Sequence, residues 1–266
     1  MLKERMDIST TSEAYANEQH HCGPAVVEMY LSQFLDKKLN PKILDVGCGV
    51  GKSAMALVNA GFDAYGIDLP DLAPFWKAAK NDPDRFVEAS ATKIPFADNS
   101  FDVVYSFGVI EHIGTVNGHC TLAPNYQLHR DQYAKEILRI TKPGGQILIA
   151  CPNKSFPIDI QHGPGDAIQQ PGRLRAYIFE KTGMNVHKIW GQYHLLSYSE
   201  VKNLFVGENG SRHFGALPLR NYFQFGRFKR GFLKPFAPLA ELWVNNMPEP
   251  VRRTFINPYV MAEIRK

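Results

Sequence analysis

The sequence predicts an α/β chain wound on a parallel sheet, and three observations predict it. Short apolar runs of strand type alternate with helical patterns between residues 42 and 151, an alternation that belongs to parallel sheets. The run Ile43-Leu44-Asp45-Val46-Gly47-Cys48-Gly49-Val50-Gly51 puts glycines where a buried strand must turn tightly into a helix and let backbone approach a ligand. A second apolar stretch, Ala64-Tyr65-Gly66-Ile67, ends on Asp68, 23 residues beyond Asp45. An acid at that strand end can accept hydrogen bonds from both hydroxyls of a ribose, as in the doubly wound mononucleotide fold. An unphosphorylated ribose is implied.

The elements follow in order. Residues 1–22 are polar and carry Tyr15, His20 and His21, after which Pro24 begins a helix with Val27, Met29, Tyr30, Leu31, Phe34 and Leu35 near helical spacing. Then come a strand over 42–46, a helix over 51–60 opened by Lys52 and Ser53, a strand over 63–67 and a helix near 71–80. Strands over 85–88 and 102–107, a helix near 130–140 and a strand over 146–151 complete the alternation. Tyr259-Val260-Met261-Ala262-Glu263-Ile264-Arg265 alternates like a half-exposed antiparallel strand, with Phe214 to Leu219 as its candidate partner. Two segments exceed this frame. A long loop runs from Gly114 to Arg130, and residues 152–256, with Pro157, Pro164 and Pro171, read as a lid or cap.

Composition sets the class. The chain of 266 residues, 44% hydrophobic and 21% charged, is ordinary for a soluble globular protein and can bury a full core. Met1-Leu2-Lys3-Glu4-Arg5 has no apolar core of signal-peptide length, and no run reaches the ~20 apolar residues of a spanning helix, so a cytoplasmic protein is expected. Cys22, Cys48, Cys120 and Cys151 stand apart from one another, which predicts reduced thiols.

The net charge of +4 is local: Arg212, Arg220, Arg227, Lys229, Arg230 and Lys234 lie in a stretch without an acid. In the same stretch Phe225, Phe228, Phe232 and Phe236 share one helical face. A membrane-surface helix through 220–238, a clamp for an anionic substrate and a lid over the active site are three readings of it. Gly226, Gly231, Pro235 and Pro238 disfavour a long regular helix and so favour the lid. Nucleic acid is not expected, because no recognised binding module accompanies the patch.

The glycine spacing selects the nucleotide. A dinucleotide site needs Gly-x-Gly-x-x-Gly, whereas this run is Gly47-x-Gly49-x-Gly51 followed by Lys52, and the carboxylate of Asp45 suits a cationic ligand better than a pyrophosphate. Here the chain resembles the class I S-adenosylmethionine-dependent methyltransferases, in particular the type 11 small-molecule branch typified by ubiquinone and menaquinone biosynthesis enzymes. The segments Ala91-Thr92-Lys93-Ile94-Pro95-Phe96-Ala97-Asp98-Asn99-Ser100-Phe101-Asp102-Val103-Val104, Val109-Ile110-Glu111-His112-Ile113 and Ile137-Leu138-Arg139-Ile140-Thr141-Lys142-Pro143-Gly144-Gly145 resemble later motifs of that family in the right order. The resemblance covers roughly residues 40–152. It implies a single domain: a helical N-terminal cap over 1–40, a cofactor-binding core over 41–152, a substrate cap over 153–256 with a strand near 213–219, and a closing strand over 257–266. The implied fold is a Rossmann-like, doubly wound sheet of seven strands, mostly parallel, with an antiparallel last strand and a helical cap.

The resemblance also implies roles. S-adenosylmethionine is the expected cofactor, bound by Asp45, Gly47, Gly49, Gly51, Asp68, Leu69, Ser90, Ala91, Ser106 and Phe107. Ser90-Ala91 stands where the family usually has an acid facing the adenine, so Ser90 is a departure and the Ala91 N–H is the better candidate. Ser106 and Phe107 would offer backbone groups to the methionine end. Glu111 and His112 are the catalytic candidates: His112 is a usable base at neutral pH, or the pair orients its loop.

Tyr15, His20, His162 and His194 are candidate substrate contacts. No metal is expected, because His119, Cys120 and His129 match no established ligand spacing. Asn257-Pro258-Tyr259 and Cys151-Pro152 resemble catalytic motifs of other methyltransferases but stand in the wrong places. The expected reaction is methyl transfer to an oxygen or nitrogen of a small, hydrophobic, natural-product-like acceptor. The rival readings are other chemistry with the same cofactor and a cofactor-binding subunit without catalysis.

Overall fold

A computed structural model describes residues 27, 31, 34–36, 39–70, 73–78, 83–116, 120–159, 161–162, 172–207, 210, 212–219 and 234–266. Strand β1 (Lys42–Val46) is buried along nearly its whole length, as a strand covered on both faces must be. It leads through the glycine turn into α1 (Lys52–Asn59), and the chain steps outward through β2 (Asp63–Asp68), α2 (Ala73–Ala78) and β3 (Phe86–Glu88). It then crosses to the other side of β1 to lay down β4 (Phe101–Phe107). A two-residue hairpin, β5 (Thr115–Val116) and β6 (Thr121–Leu122), precedes α3 (Tyr126–Ile140) and β7 (Thr141–Pro152).

The cap contributes β8 (Ile158–Asp159), α4 (Arg173–Thr182), β9 (Asn185–Val186) and α5 (Tyr198–Val206). After these come β10 (His213–Ala216), α6 (Ala237–Asn246), α7 (Glu249–Arg252) and β11 (Tyr259–Arg265). The main sheet has seven strands in the order β10-β11-β7-β4-β1-β2-β3. Pairing is parallel from β7 through β3, and β11 runs antiparallel to both β7 and β10. The order reverses direction between β4 and β1, and open α/β sheets bind ligands beyond the strand carboxyl ends at that switch.

Side-chain alternation divides the core into two layers. Leu44 and Val46 of β1 and Ile147, Ile149 and Cys151 of β7 pack on one face with Tyr133, Ile137 and Ile140 of α3 and Val201 and Phe205 of α5. Ile43, Leu148 and Ala150 face the other way, with Leu57 of α1, Tyr105, Tyr259 and Met261.

From residue 42 on, the expected elements stand within a few residues of their forecast ends, with three informative differences; the helix expected from Pro24 lies almost wholly outside the described residues. Helix α3 starts at Tyr126, inside the segment expected to be loop, because Arg130, Tyr133, Ala134 and Ile137 continue one buried face toward its start. Strand β7 starts at Thr141 and takes a bulge against Phe101 and Val103, made room for by Gly145, where a Cβ would stand 2.7 Å from Thr141 Cγ2. The expected 214–219 strand is confined to His213–Ala216, and beyond it only the Leu217 N–H still bonds Met261 O.

The rest of the cap is held by polar contacts. Ser197 and Glu200 form a capping box at the start of α5, and the Tyr198 hydroxyl accepts the Met261 N–H at 2.9 Å. Phe236, Leu239, Leu242 and Trp243, at and along α6, are exposed. The expected N-terminal cap over 1–40 is described only at a few positions, and most of the 220–238 aromatic stretch lies outside the described residues. Cys48, Cys120 and Cys151 are buried thiols. No helix among the described residues is long and apolar enough to cross a membrane.

Ile149 is fully buried between α3 and the paired Ala262. Ile149→Ala should lower unfolding free energy in urea by about 2–5 kcal/mol, and a change below about 1 kcal/mol would contradict the described packing.

Candidate functional site

The glycine turn after β1 has its backbone in the left-handed region at Gly47, Gly49 and Gly51. At Gly47 a Cβ would stand 2.2 Å from Val109 Cγ2, so the residue beyond β4 closes on the turn and admits no side chain. The Asp68 carboxylate clamps this turn: Oδ2 accepts the Gly49 N–H at 2.6 Å and Oδ1 the Leu69 N–H at 2.7 Å. Leu69 contributes its backbone, since its side chain is exposed. The Trp76 indole donates to Gly49 O from α2. Gly51 caps α1 without a side-chain bond, which leaves the helix's first N–H groups facing the turn.

Asp45 lies buried at the carboxyl end of β1, where it accepts a 2.8 Å hydrogen bond from the Tyr105 hydroxyl, itself 3.0 Å from Ser53 Oγ. Burial pushes the Asp45 carboxyl up to about 8, the Tyr105 bond acts against this, and the charge of Asp68 adds to it. Burial likewise raises Asp68, to about 6, against the two N–H bonds it accepts. Two desolvated acids beside a turn with three glycines fit a ligand that carries a cation and vicinal hydroxyls. That fit includes S-adenosylmethionine, which carries both.

The remaining cofactor candidates divide. Ser90 and Ala91 are half-buried just beyond β3, where Ser90 Oγ pairs with Thr92 Oγ1 at 2.8 Å and accepts the Thr92 N–H. Their loop is pinned to α3: Glu136 accepts the Ile94 N–H, and Arg139 donates to the carbonyls of Ile94 and Phe96. Phe107 is half-buried at the end of β4, its ring 5.2 Å from that of Tyr105. Ser106 is fully buried and its hydroxyl donates to Val46 O at 2.9 Å, so its side chain ties β4 to β1 and leaves only backbone for a ligand.

The 3-10 turn Ile110–His112 follows β4 and opens onto the cap. His112 Nε2 lies 3.4 Å from His162 Nε2, and His162 Nδ1 lies 3.1 Å from both oxygens of Asp159. His194 Nε2 is 3.4 Å from Asp159 Oδ2, without the geometry of a hydrogen bond. The structure thus brings His112, His162 and His194 together, with His194 fully buried.

Desolvation would raise Asp159, yet the His162 bond and the flanking imidazoles overcome it and hold the carboxylate far below its ordinary range. Burial lowers His194. Glu111 is fully buried with neither carboxylate oxygen bonded, and burial pushes it up to about 7 while the charges of His162 and Arg130 pull it down. Arg130 reaches in from α3 to the carbonyls of Ile113 and His194.

Tyr15, His20, His21 and His119 lie outside the described residues. His129 turns to the Asn125 side chain. Asn257 is structural: its amide donates to Arg252 O and to the Tyr198 hydroxyl. Sequence reading missed Tyr105, Trp76 and Asp159. Tyr105 could have been found by counting alternate residues along β4 back from the strand end, whereas nothing near Trp76 or Asp159 marks them.

Residues 44–149 match the family model described as a methyltransferase domain. A demethylmenaquinone methyltransferase of Paenarthrobacter aurescens is 35% identical over 118 residues, which are 44% of this chain and 40% of that protein. A sterol 24-C-methyltransferase of Gibberella zeae is 33% identical over 44% of this chain and 29% of its own length. The chain spans about two fifths of the length of the first of these relatives. Among solved structures, a S-adenosylmethionine-dependent methyltransferase from Listeria monocytogenes aligns over 91% of this chain and 98% of its own, at 14% identity and a TM-score of 0.50, a likeness of fold.

The raised acids set the sign of a pH effect. Below about pH 3 they are protonated folded or unfolded and impose no penalty. As pH rises above about 4 the unfolded chain ionises first and stability falls, until the folded carboxyls ionise as well, at about 6 for Asp68 and about 8 for Asp45, and the loss levels off. Without ligand, Asp45→Asn should therefore raise the melting temperature by several degrees at pH 9 and by far less at pH 4. Equal shifts at both pH values would contradict the burial of an ionisable Asp45.

Proposed function

We propose, from the match of residues 44–149 to a methyltransferase domain, that this chain transfers the methyl group of S-adenosylmethionine to an oxygen or nitrogen of a small molecule that must shed a proton. The observation that carries the reading is the pairing, across the β4/β1 switch, of two desolvated acids around a glycine turn with a histidine cluster beyond β4. When bound, S-adenosylmethionine supplies a methyl group on a cationic sulfonium.

The chain's own residues do the rest. Asp68 accepts from the ribose hydroxyls and Asp45, steadied by Tyr105, faces the ammonium. The Ala91 N–H and the backbone at Ser106 and Phe107 hold the two ends. On the acceptor side His112 meets the nucleophile, and Glu111 packs inside its turn and sets its direction. His162, half-buried and backed by Asp159, lines the same space. With an activated methyl group already present, holding the nucleophile in line and excluding water is much of the catalytic task.

The imidazole cluster supports oxygen or nitrogen, because such a site is useful to an acceptor that loses a proton. The matched sterol methyltransferase acts, by its name, at carbon, and carbon is the outcome that would revise this choice.

Two variants test the reading. Asp68→Ala should weaken S-adenosylmethionine binding by at least about tenfold, since each charge-assisted hydrogen bond contributes roughly 1.5–3 kcal/mol; unchanged affinity in calorimetry would remove the ribose assignment. His112→Ala should lower kcat by about 10²–10⁴ with cofactor affinity intact. A loss under about threefold would return His112 to an architectural role.

A further inference from the structure

The acceptor side of the site gathers metal-ligating atoms that the sequence keeps far apart. His112 follows β4, Cys120 leads into β6, and His162 follows β8. One ligand atom from each lies within 4.8 Å of the other two. The two imidazole Nε2 atoms are 3.4 Å apart, and two nitrogens bound tetrahedrally at 2.0–2.1 Å from one ion would stand about 3.3–3.4 Å apart.

The surroundings complete a metal site. Asp159 lies against Nδ1 of His162 and turns the ring's Nε2 toward Nε2 of His112, the carboxylate–histidine arrangement that fixes tautomer and ring direction at metal centres. Asp159 is itself held by the N–H groups of Gln161 and His162, both at 3.0 Å. Asp159, His162 and His194 form a second close triple, and His194 is fully buried with neither ring nitrogen hydrogen-bonded. An Asp159 carboxylate and a Cys120 thiolate together match the two charges of a divalent ion.

We propose that His112, Cys120 and His162 bind one divalent transition metal of the zinc class, with Asp159 as the positioning residue behind His162 and the fourth position left for the acceptor. Two imidazoles and a thiolate suit a borderline-soft ion, and three protein ligands with an open position are the pattern of catalytic rather than structural zinc. Resting on the methyl-transfer reading, the proposal gives His112 its chemistry there. A hydroxyl bound at the fourth position releases its proton to solvent more readily, because the cation stabilises the oxyanion that remains.

The test is metal binding itself, on metal-stripped protein without a histidine tag. Titration with Co(II) should saturate at one ion per chain and give a thiolate-to-cobalt absorption band in the near ultraviolet, and Zn(II) should displace it. Cys120→Ser should abolish the band, and His162→Ala should weaken Co(II) binding at least tenfold. Asp159→Asn should weaken it by about 10–100-fold. Thermal melting of each variant identifies the folded ones on which the comparison is made, and Cys120→Ser, nearly isosteric, keeps the test available if the others fail to fold.

No thiolate band in the wild type, or affinities unchanged in folded variants, overturns the site. S-adenosylmethionine calorimetry on the same samples separates the two readings. Cofactor binding without metal binding overturns the metal site alone, and metal binding without cofactor binding overturns the methyl-transfer reading while supporting the metal site.

Discussion

The structure turns on carboxylates placed where water cannot reach them. β1 is buried on both faces because it sits in the middle of a parallel sheet, and its last turn outward carries Asp45 into the same dry layer. An acid there resists ionisation, and the protein supplies it with one neutral donor, the Tyr105 hydroxyl, and no cation within hydrogen-bonding reach among the described residues. The chain thus carries an unsatisfied demand for positive charge beside a glycine-rich turn. Asp68 shares the demand but is better satisfied, since it already accepts two backbone N–H groups and ionises more readily. The proposed ligand assignment follows from this imbalance: a cation at Asp45 and hydroxyl donors at Asp68.

The second centre obeys a different rule. Beyond β4 and β7 the chain spends buried polar groups freely: Glu111, Asp159, His194 and Arg130 all lie in the interior. Such groups persist in pairs or around an occupant. Asp159 is amply paired, whereas Glu111 and His194 are not. The cap therefore does more than cover the sheet, because β8 and the segment leading to α5 deliver Asp159, His162 and His194 to the turn that carries His112. A parallel sheet offers one open edge for chemistry, and here the two desolvated acids and the histidine cluster stand at adjacent strands of that edge.

How much of this was legible in the sequence depends on range. The glycine turn, Asp68 and the strand ends were readable because each is local: a buried strand, a turn needing positive φ and an acid at the next strand end leave marks within a few residues. The antiparallel closing strand was readable from alternation at 259–265, and β10 and β11 stand where that pattern put them. The start of α3 was misread because its first turn is exposed and polar, so periodicity alone placed the helix at Arg130. The metal-ligand geometry was illegible: Cys120 has histidines one position before it and nine after it, yet it closes on His112 and His162, which only the cap's path brings together. Spacing rules detect ligands that share one turn or hairpin and say nothing of ligands gathered from three.

The account rests most heavily on Asp45 being a protonated acid in the free protein that ionises when a cation arrives. Calorimetric titration with S-adenosylmethionine at pH 7, repeated in buffers of different ionisation enthalpy, measures the protons exchanged on binding. With Asp45 near 8 before binding, the account predicts a net release approaching one proton per cofactor bound, and loss of that release in Asp45→Asn. A binding heat independent of the buffer, or a proton release that survives in Asp45→Asn, would contradict it.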